Sequence, residues 1–306
     1  RVEAPYDPVA KAAASGSPFI RRLNIRAISL TLNAVEDRFD RQIGPAFREA
    51  MDRFQNTLAR LYDKGDIAGV RKASIPGGAA VITEIKEFWR RFFAQAEADT
   101  ERDIERLAAD TAGARTTLER AKRPKRKPVK IVAGPKADIN RYIDLVSTDF
   151  FDDLSNRAKK IARKTMQRGF ELGESREWMV QALKEKLATV TEANLRTEVR
   201  TTTTQCFNLA RQRVFDGSPL VEAVQFTAVL DDRVTPICTR LGTEGEDGEG
   251  VVVALDDPRL DILRPPEHYN CRTLTSPVMF GEDYELTASA VLDSIIAEIP
   301  DGFGEI

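Results

Sequence analysis

The stretch TEANLRTEVRTTTTQCFNLARQRVFDGSPLVEAVQFTAVL, residues 191–230, contains the change of periodicity on which the fold turns. In its first part Leu195, Val199, Cys206, Ala210 and Val214 share one face at helical spacing, and Thr191 is a residue type suited to the N-cap. Cys206 lies on this stripe and reads as core, where a free cysteine behaves as a small hydrophobe. Gly217-Ser218-Pro219 then interrupts the helix. Beyond it Val224, Phe226, Ala228 and Leu230 alternate with polar neighbours, the period of a half-buried strand.

Upstream, the helical period dominates. Leu32, Val35, Phe39 and Ile43 continue into Phe47, Met51, Phe54, Leu58 and Leu61, a stripe interrupted or kinked near Gly44-Pro45. Gly65 and Gly77-Gly78 break the pattern. It resumes with Ile85, Phe88, Trp89, Phe92, Phe93, Ala96, Ile104, Leu107 and Ala108, and these aromatics read as a helix-packing face. A further helix carries Ile139, Ile143, Val146, Phe150, Leu154, Ala158 and Ile161 and is expected to end at Gly169 and Gly173. Ser175 is the expected N-cap of the next, which carries Leu183 and Leu187. Downstream, Val251–Leu255 and Arg272–Thr275 are short strand candidates, and a last helix is expected from Ala288 to Glu298, before Pro300.

The fold class is therefore mainly α with a small C-terminal α+β domain, long amphipathic helices followed by a short-stranded sheet. The expected division is a helical docking region 1–118, a linker 119–136, a helical segment 137–217 and an α+β segment 218–306. Residues 120–136 hold eight basic residues, three prolines and no acids. Prolines favour extended backbone, and the charge is of the kind a phosphate backbone attracts, so Lys122, Arg123, Lys125, Arg126, Lys127 and Lys130 are DNA-binding candidates. A solvated linker is the other reading, since no aromatic in the run can stack on bases. Residues 216–261 carry eleven acids against three arginines, the opposite sign.

Composition sets limits on function. Over 306 residues, 46 basic and 48 acidic side chains give a net charge of −2, and mean hydropathy is −0.35. No apolar run approaches the ~18 residues of a membrane span. The opening residues lack the apolar core of a signal peptide, and three cysteines are too few for a disulfide scaffold, so a reducing cytoplasm is expected. A single histidine, His268, excludes a His-pair zinc protease motif.

One constellation is more specific. A helix bearing Arg196-Thr197-Glu198 precedes the strand Phe226–Leu230. Asp231-Asp232-Arg233-Val234-Thr235 and Cys238 follow, then an acidic Gly-rich loop, and last Pro265-Pro266-Glu267-His268-Tyr269-Asn270-Cys271-Arg272. This order resembles the phage Mu F-like head morphogenesis family, the minor head proteins of tailed bacteriophages, over roughly residues 140–278. The closing motif matches nearly residue for residue. In the middle motif Cys238 stands alone, with Thr235 where the family often has a second cysteine. The structural motif carried over by the resemblance is Arg196, Glu198, Asp231, Arg233, Cys238, Pro266, His268, Cys271 and Arg272.

The chemistry of these residues can also be read directly. Cys238, His268 and Cys271 are soft or borderline metal donors, but structural zinc takes four ligands, so Asp231, Asp232 or water would have to complete the shell. The favoured reading is no metal and no cofactor: Cys238 and Cys271 face each other in a small core, and His268 hydrogen-bonds a loop carbonyl. Charges near a core are costly unless paired, so Arg196, Glu198, Asp231, Arg233 and Arg272 read as a network tying the helix to the motif loops. Pro265-Pro266 would hold its loop extended.

The resemblance implies a non-enzymatic minor head protein, associated with the portal in capsid assembly and with DNA packaging or ejection. The implied partners are the portal protein, the major capsid or scaffold protein and genomic DNA, with multiple copies in a particle and no membrane. The implied location is the virion, at the capsid interior or portal vertex, after assembly in the bacterial cytoplasm. Family members can carry a C-terminal toxin or transferase domain, for which the residues after Val278 leave no room. A DNA-binding protein using the basic arm and a transferase-like enzyme with an Arg/Glu/Asp site are the alternatives.

Overall fold

The computed structural model describes residues 25–110, 136–172, 174–230, 233–282, 284–301 and 303. The expected class is observed: the chain is 69% helical, with a small three-stranded antiparallel sheet in its C-terminal part. Helices α1 (Ile25–Gln42), α2 (Gly44–Asp63), α3 (Ile67–Lys72), α4 (Gly78–Asp110), α5 (Lys136–Leu172) and α6 (Arg176–Gly217) come first. Then follow β1 (Val221–Ala228), α7 (Pro236–Thr243), β2 (Val252–Ala254), α8 (Arg259–Leu263), β3 (Thr273–Met279) and α9 (Ser289–Ile296). The basic candidates Lys122, Arg123, Lys125, Arg126, Lys127 and Lys130 lie outside the described residues.

The chain forms two compact units, each discontinuous in sequence. One comprises Val35–Arg91 and Pro135–Thr202. Its helices close on an aromatic cluster: the Phe39 ring stacks on Trp89 at 5.5 Å and meets Phe88 edge-on at 5.0 Å, and Phe150 tilts against Phe39 at 5.4 Å. Phe47 and Phe151 make a further edge contact at 6.3 Å. Phe39 of α1 and Phe88 and Trp89 of α4 are thus spent inside the unit. Two expectations are corrected here. Gly169 does not end α5 but lies within it, because a side chain there would meet the Met179 methyl, 2.1 Å from an ideal Cβ. Packing against α6 is what the glycine permits, and that outweighs its helix penalty. Thr191 caps no helix; α6 runs unbroken over 42 residues, since neither Pro nor Gly occurs from Arg176 to Asp216. Ser175 does act as the cap, its Oγ accepting from Trp178 N at 3.2 Å.

The other unit includes Phe92–Gly134 and Thr203–Ile306. Its sheet has the order β2-β1-β3, so β1 is central. Val224 pairs with Val253 on one side and Pro277 on the other. Pro277 is tolerated because β3 is an edge strand, where a missing N–H breaks no ladder on the outer side. β1 was expected to be half-buried; it is buried on both faces. Val221, Val224 and Phe226 join a core with Phe215, Leu241, Leu263, Met279 and Ile295, while Ala223 packs with Val252 and Val278 on the reverse face. A bulge between Val221 and Ala223 puts both Val221 and Val224 on the first face. Gly250 lets the chain approach β1 closely, since an ideal Cβ there would lie 1.7 Å from Phe226 O.

Asp216, in the last turn of α6, accepts from Gln212 Nε2 at 2.8 Å. Burial raises its pKa from 3.8 to about 6, outweighing that bond and the nearby Arg264. Between those two values the unfolded chain has lost the proton that the folded chain keeps, so stability falls as pH rises through this window. Asp216→Asn is therefore expected to stabilise the protein at pH ~7 by about 1–2 kcal/mol, and to do nothing at pH ~3. That gain is less than the full shift because water still reaches the group. Urea midpoints at the two pH values check this, and an equal gain at both would refute the burial cause.

Candidate functional site

The site is built where α7 begins and the 265–272 loop ends. Thr235 caps α7, its Oγ1 accepting from Cys238 N at 3.4 Å, and Pro236 occupies the first turn. This places Cys238 on the inner side of the helix, buried with Ala228 and Cys271. In the facing loop Pro265-Pro266 is a cis peptide and Asn270 has φ of +62°, a left-handed conformation that asparagine tolerates. The turn closes with Cys271 N donating to His268 O at 3.2 Å.

Three side chains converge. His268 Nε2 is 2.9 Å from Cys238 Sγ and 2.8 Å from Thr235 Oγ1, and Cys238 Sγ is 3.8 Å from Cys271 Sγ. His268 Nδ1 is 2.7 Å from Tyr269 O. A carbonyl can only accept, so Nδ1 carries a proton, and Nε2 is the nitrogen turned toward the sulfurs. Thr273 Oγ1 donates to Cys238 Sγ at 3.0 Å. Cys271 Sγ also lies 3.0 Å from Glu267 Oε2, and Glu267 is wholly buried.

The electrostatics follow from these contacts. Hydrogen bonds from Cys271 first, then from His268, Thr273 and Thr235, overcome burial and hold the Cys238 thiol well below its usual value, at about 4. Burial pushes Cys271 up. Glu267 is raised to about 8, chiefly by burial and next by the charge on Cys238. Burial alone would lower His268, but its bond to Cys238 and that thiolate's charge raise it. The shifts thus favour a thiolate at Cys238, and they favour the protonated form of His268, Cys271 and Glu267. Cys206, by contrast, is wholly buried on α6 and raised to about 12 by burial alone.

The remaining motif residues are distributed differently. Glu198 is buried and pairs with Arg157 of α5 at 3.0 Å. Arg196 is exposed on α6, Arg233 is exposed just before α7, and Arg272 is half-buried beside Cys271; Asp231 and Asp232 lie outside the described residues. Pro266 is buried. Thr204, Asn208 and Arg211 tie α6 to the end of the loop and to β3. Thr204 Oγ1 donates to Cys271 O at 2.8 Å, Asn208 Nδ2 to Thr273 O at 3.1 Å, and Arg211 Nε to Thr275 O at 3.0 Å. Asn208 Oδ1 accepts from Thr275 N at 2.9 Å, so one side-chain amide continues the ladder along the free edge of β3. Arg211, 2% exposed, also lies over the Phe207 and Phe215 rings, each at 5.3 Å. Sequence reasoning missed these three. Their signal was the 4 and 3 spacing within TTTTQCFNLAR, which polar composition disguises as a solvent face.

The site is thus a buried Cys/His cluster at one end of β1, beside a long helix whose side chains bond the outer edge of β3. Residues 159–276 match the family model described as Phage Mu protein F like protein. The matched segment starts within α5, ends within β3 and contains the whole Cys/His site, so this part of the chain is similar to the phage Mu F-like head morphogenesis family. The chain matches no curated protein and no solved structure. Among the described residues no helix is long and apolar enough to cross a membrane.

Proposed function

We propose that this protein is a minor head protein that binds the portal during capsid assembly and has no enzymatic role. The observation that carries this reading is the family match over 159–276, coincident with the sealed helix–sheet unit. Glu198, the buried carboxylate that a catalytic reading would use, is paired internally with Arg157. The partners are the portal protein, the major capsid or scaffold protein and packaged DNA, in several copies per virion. Because Phe39, Phe88 and Trp89 are buried in an internal aromatic cluster, docking uses the polar outer faces of the helices. Co-expression with the portal protein of the same phage tests this: the two should elute as one complex. Separate elution, together with particles of normal composition when the gene is deleted, would remove the reading.

The basic arm supports contact with DNA. Replacing Lys125, Arg126 and Lys127 with Ala should weaken DNA binding and reduce the slope of log K against log salt by about 1 per lost phosphate contact. A slope that does not change leaves the arm as a plain linker.

A further inference from the structure

We propose that Cys238 Sγ, Cys271 Sγ, His268 Nε2 and the Glu267 carboxylate form a zinc site that clamps α7 to the 265–272 loop. This goes beyond the head-assembly reading and does not depend on it. Four ligands at tetrahedral angles, with Zn–S near 2.3 Å, put two sulfurs about 3.8 Å apart. The two thiol sulfurs are 3.8 Å apart. The ligand atoms of Cys238, His268 and Cys271 all lie within 4.8 Å of one another. A sulfur and a nitrogen sharing zinc sit about 3.5 Å apart. His268 Nε2, now 2.9 Å from Cys238 Sγ, therefore retreats slightly to admit the ion. Its ring is already oriented for this, because Nδ1–H is spent on Tyr269 O, the outer-shell bond that ligating histidines make.

The Glu267 carboxyl lies beside this set, outside the 4.8 Å that its three donors share, and completes the shell by turning toward the ion from its contact with Cys271. It is 0% exposed, its Oε2 is bonded to Cys271 Sγ at 3.0 Å, and its Oε1 has no hydrogen-bond partner among the described residues. An unpartnered carboxyl oxygen in a closed site costs free energy unless something compensates it, and a dication bound by the ionised group does so. Two apolar core thiols would require neither a buried carboxyl group nor an imidazole beside them. With zinc bound, two thiolates and one carboxylate face one dication and a neutral imidazole, for a net charge of −1. The protons on Cys271, on Glu267 and on the Cys238–His268 pair leave to solvent.

Cobalt(II) is the probe, added to the metal-free full-length chain kept under a non-thiol reductant. The expected result is about one cobalt per chain, with tetrahedral ligand-field bands and a thiolate-to-cobalt charge-transfer band of two sulfurs, displaced by zinc. Cys238→Ser and Cys271→Ser should each remove the two-sulfur band. If either variant does not fold, the intensity of the wild-type band still counts the thiolates. Glu267→Gln should keep the charge-transfer band, alter the ligand-field bands and weaken binding by about tenfold or more. Unaltered ligand-field bands and affinity would take Glu267 out of the shell and overturn the four-ligand site. Absence of the two-sulfur band overturns the metal site altogether. Rapid alkylation of Cys238 that zinc does not slow would assign a reactive thiol there instead, and formation of a Cys238–Cys271 disulfide would assign a redox pair.

Discussion

Asn208→Leu, which keeps the branched shape of the side chain but replaces its amide with two larger methyl groups, is expected to destabilise the sheet-bearing unit by about 3 kcal/mol. The Asn208 amide bonds Thr204 O at 2.9 Å, Thr273 O at 3.1 Å and Thr275 N at 2.9 Å. Thr204 O keeps its helical partner after the substitution, so it adds little. Thr273 O and Thr275 N lie on the outer edge of β3, where no fourth strand is present among the described residues, and both would remain buried and unpaired. Each such group costs about 1–3 kcal/mol, which sets the sum. The urea midpoint of the full chain should fall by about 1 M or more. Asn208→Asp separates the two halves of the contact. It keeps an acceptor for Thr275 N but turns a lone pair toward Thr273 O, so it should be as damaging at neutral pH. Burial raises the pKa of such a carboxyl in the folded state, so the deficit should shrink as pH falls and the group regains a proton to donate. A wild-type midpoint for Asn208→Leu would show that α6 does not seal the sheet.

Trp89→Ala carries the second large effect, about 3–5 kcal/mol in the all-helical unit. Trp89 is wholly buried, stacked on Phe39 and edge-on to Phe88 at 5.0 Å. Removing the indole leaves a cavity walled by rings that α1, α4 and α5 hold in place, so little collapse offsets the loss. Far-UV circular dichroism during urea unfolding measures this without relying on the remaining Trp178. If the α4 stripe were a docking face awaiting a partner, the same substitution would cost under about 1 kcal/mol in the isolated protein and would abolish portal binding instead.

The helices were legible because their signals are local. Gly44-Pro45, Gly65 and Gly77-Gly78 punctuate a stripe whose period does not change, and the breaks between α1, α2, α3 and α4 fall there. The change to strand after Gly217-Ser218-Pro219 was legible for the same reason. Gly169 and Thr191 misled because a glycine or threonine that would end or begin a helix alone is overruled by what it packs against or continues. At Gly169 the overruling neighbour is Met179, and at Thr191 it is uninterrupted helix on both sides. The polar run around Thr204 was illegible for a deeper reason. Periodicity reports solvent against core, whereas Thr204, Asn208 and Arg211 are polar and buried because a strand edge needs donors and acceptors there.

Local sequence was enough for the class of fold, the order of its elements and the set of residues able to do chemistry, since propensity, punctuation and side-chain type need no distant neighbour. Tertiary structure alone decided which of those residues meet. Cys238 and Cys271 stand 33 positions apart and come together only because α7 and the 265–272 loop close over one end of β1, and Glu267 becomes a buried carboxyl only inside that closure. Glu198, adjacent to the same motif in the order of the chain, turns to Arg157 instead. A buried charge takes the partner that the fold brings within reach, and no pattern along the chain specifies that distance.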